Sequence, residues 1–164
     1  MTDSAVTRRA ATDRAPEPGN PPSTAKIAGH PLHPMLVPFP IVCFVGAFAT
    51  DLAYWRTADM QWANFSAWLL AAGLVFGVLA ALAGLTDFLS HRRVRAQKPA
   101  WAHMLGNVLV LGLSLVNAFV HSRDAWTSVV PTGLILSGAV VLILCVTGWL
   151  GWAMVYRHRV GVAS

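Results

Sequence analysis

Four apolar runs, at 35–55, 63–89, 101–120 and 130–156, alternate with short polar stretches, and each is long enough for the about 20 helical residues that cross a hydrocarbon layer. Short connections favour antiparallel neighbours, so the pattern predicts an all-α, integral membrane four-helix bundle of up-down-up-down topology over residues 29–160. Residues 1–28 differ: they are rich in Pro, Ala, Thr and Arg and hold no apolar run. Such a segment cannot bury enough surface to offset chain entropy, which predicts a disordered cytoplasmic tail. Its basic residues Arg8, Arg9 and Arg14 lead into Pro-rich sequence, unlike a secretory signal peptide.

Polar positions inside the runs are ordered. At about 100° per residue, His103, Asn107, Ser114, Asn117 and His121 fall within about 80° on the third helix. Lipid offers no partner to an amide or imidazole, so this stripe must face other helices or an internal cavity. Either it packs through interhelical hydrogen bonds, or it lines a proton or ion path in a small transporter or channel subunit. On the second helix Gly73, Gly77, Ala80, Gly84 and Asp87 share a face, and small residues there let another helix approach, within the chain or in a homo-oligomer.

Composition agrees with a membrane protein. Of 164 residues, 55% are hydrophobic and 12% charged, against roughly a quarter charged in soluble domains. The net charge of +5 lies in short clusters between apolar runs, which excludes nucleic acid as the expected partner and leaves the lipid bilayer. Ten of the 12 Lys and Arg fall in the tail, the second connection (Arg92, Arg93, Arg95, Lys98) and the C-terminal end (Arg157, Arg159); Arg56 and Arg123 stand opposite. The positive-inside rule then puts both termini in the cytoplasm. Trp55, Trp62 and Trp126 read as outer anchors and Trp101, Trp152 and Tyr156 as inner ones. Cys43 and Cys145 each sit in an apolar run, read as buried small hydrophobes, and supply no disulfide framework.

The candidate chemistry lies mostly on one side. In Gly29-His30-Pro31-Leu32-His33-Pro34 the prolines stiffen the backbone, predicting both imidazoles on one side of a polyproline-like segment and Pro34 as first residue of the helix. Asp87 and His103 lie about one turn from the inner ends of their helices, at similar depth, and His91 and His158 are on the same side. A divalent transition metal would accept His30, His33, Asp87 and His103; a b-type haem would need two facing imidazoles, for which His33 and His103 are the best pair. In the structural alternative Asp87 accepts hydrogen bonds from His103 or His33, and His91 and His158 meet lipid phosphates. At the outer side, Asp51 and Arg123 are expected to form an ion pair. The sequence contains no nucleophile elbow, phosphate-binding loop or zinc-protease helix, so no enzyme is expected.

The segment Gly29-His-Pro-Leu-His-Pro-Met-Leu-Val, then Phe39-Pro40, Asp51, Gly84-Leu-Thr-Asp87, His103, Gly148-Trp-Leu-Gly-Trp and Tyr156-Arg-His-Arg-Val-Gly resembles the bacterial membrane-protein family called domain of unknown function 2231, over about residues 27–162. The resemblance implies a four-helix inner-membrane protein with no settled activity, and nominates His30, His33, Asp87 and His103. Many members carry a further histidine where this chain has Pro38. The resulting expectation is a multi-pass membrane protein binding a transition metal or haem at its cytoplasmic face and serving a redox or metal-handling partner, with a transporter subunit or a structural scaffold as alternatives.

Overall fold

Prolines open the first spanning unit. In the computed structural model, which describes residues 23–123 and 129–157, Pro31 (φ −69°, ψ 129°) precedes α1 (Leu32–Leu36), and Pro38 and Pro40 lie in the first turn of α2 (Pro38–Thr57). Proline has no N–H and a fixed φ, so it is tolerated where helical donors lack partners anyway, and residues 32–57 form one candidate span. The helix therefore begins two residues before Pro34, the residue expected to open it.

The other spans are α3 (Met60–Ser90), α5 (Lys98–His121) and Val129–Tyr156. Within the last, Val130 is extended (φ −115°, ψ 126°) because a residue preceding proline is disfavoured in the helical region; regular helix α6 (Leu134–Tyr156) starts later than expected. Ala58, left-handed at φ 54°, ends α2, and the Asp59 carboxylate caps α3 by accepting from Gln61 N–H at 2.9 Å. That two-residue link enforces antiparallel packing. The short helix α4 (Arg92–Arg95) joins α3 to α5. Contacts run α2–α3, α3–α5, α5–α6 and α6–α2, closing a ring of four helices.

Mid-bundle, Phe44 and Ala47 of α2, Leu70 of α3, Val110 of α5, and Val140 and Leu144 of α6 form a buried core. The glycine face of α3 is used within the chain: a Cβ on Gly73 would lie 2.6 Å from the Phe44 ring, and one on Gly77 2.7 Å from Leu111. Outward faces carry Val42, Trp68, Val108 and Leu142, all strongly exposed, a surface that hydrocarbon accommodates and water does not. Cys145 is also exposed and Cys43 only half-buried, so the expected burial of both thiols is corrected; a thiol is apolar enough to face lipid.

Ordered structure starts earlier than residue 29. Strands β1 (Lys26–Ile27) and β2 (His30–Pro31) pair antiparallel, Lys26 opposite Pro31, around Ala28 (φ 50°) and Gly29 (φ 82°). Positive φ at both turn positions matches the twist of a tight hairpin. A two-residue strand is too short to show alternation, which is why the sequence read as featureless there. Residues 1–22 of the expected tail lie outside the described residues, as do Trp126, His158 and Arg159.

Candidate functional site

At the end of the bundle where Arg92, Arg93, Arg95 and Lys98 gather, here called the basic end, two imidazoles meet. His33, on α1, has Nδ1 2.8 Å from the Ala80 carbonyl oxygen of α3. A carbonyl only accepts, so Nδ1 carries the hydrogen. The approach depends on Gly84, whose Cβ would stand 2.7 Å from that nitrogen. His103, near the start of α5, mirrors this: its Nδ1 lies 2.8 Å from the Thr147 carbonyl oxygen of α6, past Gly151, whose Cβ would lie 3.0 Å from the ring. The ring centres are 6.2 Å apart with planes at 85°. One turn along α5, Asn107 Nδ2 donates to the His103 carbonyl at 2.8 Å and lies 3.2 Å from His103 Nε2.

Asp87 is not part of this pair. Its Oδ2 accepts from Ser23 Oγ at 2.7 Å, and its Oδ1 from the backbone N–H groups of Thr24 (2.5 Å) and Ala25 (3.2 Å). The expected contact with His103 or His33 is thus replaced by a strap from the N-terminal segment, beside which His91 Nδ1 lies 3.4 Å from Thr24 Oγ1. His30 is exposed on the hairpin, because an extended residue 30 and a helical residue 33 diverge. Of the nominated ligands only His33 and His103 come together; among the described residues, no group of three His, Cys, Asp or Glu side chains could hold a metal ion. Nearby, the Arg95 guanidinium donates to the Phe88 and Leu89 carbonyls at the end of α3, and Trp101 Nε1 donates to the Arg95 carbonyl.

The opposite, far end holds a second cluster. Asp51, fully buried on α2, accepts from Ser137 Oγ of α6 at 2.6 Å, and its Oδ1 lies 2.9 Å from His121 Nε2 of α5. Asn117 Nδ2 donates to Ser137 Oγ at 2.8 Å, and His121 Nδ1 lies 3.0 Å from the Asn117 carbonyl oxygen. The partner of Asp51 is therefore His121 and not the expected Arg123, which is exposed past the helix end. Two residues correspond to about 200° of helical rotation, which carries Arg123 away from the bundle axis. Alongside, Thr50 and Ser66 hydroxyls bridge α2 and α3 at 2.7 Å.

The α5 stripe does face protein, but it divides. His103 and Asn107 serve the basic end, Ser114, Asn117 and His121 the far end, and Val110 between them belongs to the apolar core. The sequence reading passed over Ser137 and Thr147, although apart from the terminal Tyr156 they are the only hydroxyl residues of α6. Gly106, which faces the Thr147 side chain, was passed over too, and Gly151 entered only as part of the Gly148-Trp-Leu-Gly-Trp motif.

No curated protein and no solved structure gives a match. The family described as "Predicted membrane protein (DUF2231)" matches residues 29–164, a stretch that takes in all four spans and both histidine clusters. With the lipid-facing exterior and the four spans, that match settles the family: the chain belongs to the DUF2231 predicted membrane proteins.

Proposed function

We propose that His33 and His103 form a two-histidine centre for a transition-metal cofactor, b-type haem being the form that needs no further protein ligand. One observation carries the reading: each ring gives its Nδ1 hydrogen to a main-chain carbonyl of a neighbouring helix, which leaves Nε2 as the nitrogen able to bind metal. Metal-binding histidines are fixed in tautomer and orientation in this way. His33 and His103, with ring centres 6.2 Å apart, would be the two residues that hold the group. Asp87 and His30 are engaged or turned away elsewhere, which favours a centre of two protein ligands over one of four. The Asn107 amide lies 3.2 Å from His103 Nε2 and would have to turn away for that nitrogen to hold a metal. A path running the length of α5 is opposed by Val110 in the core.

By the positive-inside rule, the basic residues at this end favour the cytoplasmic side of a bacterial inner membrane, where the centre would exchange electrons with a membrane redox partner. Protein purified from membranes and analysed by visible absorbance and metal content tests the reading. The expected result is a Soret band at one haem per chain, lost in both His33→Ala and His103→Ala. Stoichiometric metal without that band points to a bare ion between the same rings. Neither signal reduces the pair to interhelical packing and overturns the proposal.

A further inference from the structure

The far-end cluster is independent of that centre and has its own chemistry. We infer that Asp51 and His121 form a buried proton-binding site, loaded with one proton more than an ionised carboxylate and a neutral imidazole would hold together. His121 Nδ1 faces the Asn117 carbonyl at 3.0 Å, and Nε2 faces Asp51 Oδ1 at 2.9 Å. A neutral imidazole has one N–H. If it sits on Nδ1, a bare Nε2 meets an ionised carboxylate; if it sits on Nε2, a bare Nδ1 meets a carbonyl oxygen. Each case opposes two lone pairs at hydrogen-bonding distance between side chains that are almost wholly buried. A second proton removes the conflict, held on Nε2 beside a carboxylate or on Oδ1 as a carboxylic acid. In both forms the pair is neutral overall, the condition under which burial in low dielectric is tolerated.

The surrounding groups agree. Asn117 Nδ2 donates to Ser137 and Ser137 donates to Asp51, so Asp51 ends a chain of donors and its second oxygen is taken. Among the described residues, the titratable groups nearby are Asp51 and Tyr54 on α2, His121 on α5 and the exposed Arg123 beyond it; α3 contributes Ser66, and α6 with its preceding turn contributes Ser137 and apolar side chains. Ser114 Oγ and Asn117 Oδ1 are buried without a partner among the described residues, free to accept from a water that carries the proton. On the side towards the basic end, Phe44, Leu70 and Val110 close the bundle, so exchange runs to the far end. When the proton leaves to such a water, the pair becomes anionic and loses one of its two imidazole bonds.

Protein labelled with 15N-histidine and, separately, 13C-aspartate in lipid bilayers provides the test, with His121 assigned by its absence in His121→Gln. At neutral pH the expected signature is a doubly protonated His121 imidazole, or a singly protonated one together with a protonated aspartic acid band in the infrared. Raising the pH should release one proton per chain and leave a His121 ring with one bare nitrogen beside an ionised Asp51, whichever of the two held the proton, and Asp51→Asn should abolish that release. A His121 ring with one bare nitrogen at neutral pH, and no protonated aspartic acid in the wild-type chain, overturns the inference. The wild-type spectra decide the matter even if a variant fails to fold.

Discussion

Gly84 and Gly151 matter for what they lack, since a methyl group at either would press on the imidazole packed against it. Gly84→Ala should lower stability in detergent by about 1–3 kcal/mol through overpacking and displace His33 from Ala80. Gly112→Ala is the control: nothing lies within 4 Å of its Cβ position, and replacing a mid-helix glycine should stabilise by about 0.5–1 kcal/mol. Thermal unfolding of both variants separates the two effects. At the far end, Asp51→Ala should cost about 3–5 kcal/mol because it strands a buried partner, while Arg123→Ala should leave the melting temperature unchanged. Equal effects of the two would restore the ion pair expected from sequence. The sequence showed that Asp51 needed a partner and pointed to Arg123; the structure supplies His121, two positions earlier and still on α5.

At the scale of elements, α5 shows how far periodicity reaches. Its polar stripe follows from residue spacing alone, and the structure turns that stripe inward, yet only packing against α2 and α6 divides it around Val110. The α2–α3 contact carries a smaller polar component. Ser66→Ala removes the hydroxyl that meets Thr50 and should cost about 0.6 kcal/mol, the usual size of a membrane interhelical hydrogen bond, measurable by reversible unfolding in mixed micelles. The strap from Ser23 to Ala25 was not legible, because three small residues, two of whose contacts come from the backbone, give no pattern until the carboxylate they surround is known. Asp87→Ala should speed hydrogen exchange at the Thr24 and Ala25 amides by roughly 5–150-fold, matching about 1–3 kcal/mol for the lost charged acceptor. Unchanged exchange would mean that the strap is held by its hairpin alone.

For the whole molecule, the ring of four spans and its apolar exterior require a bilayer, and the distribution of basic residues makes a prediction about direction. With Cys43 and Cys145 replaced by alanine, Ala58→Cys in the α2–α3 link should react with a membrane-impermeant maleimide in intact cells. Ser90→Cys, at the opposite end of α3, should react only after lysis. The reverse labelling would invert the topology and place the histidine pair outside.

Membrane residence, the number of spans and their ends to within a few residues, and the gathering of basic side chains at one end were determined by the sequence, because bilayer thickness converts hydropathy directly into helix length. The tertiary structure alone decided which polar groups meet. Asp87 joins the N-terminal strap, Asp51 joins His121, and His33 and His103 face each other while His30 turns away. Those choices depend on helix rotation and on gaps left by Gly84 and Gly151 in neighbouring helices, quantities that no single run of residues encodes.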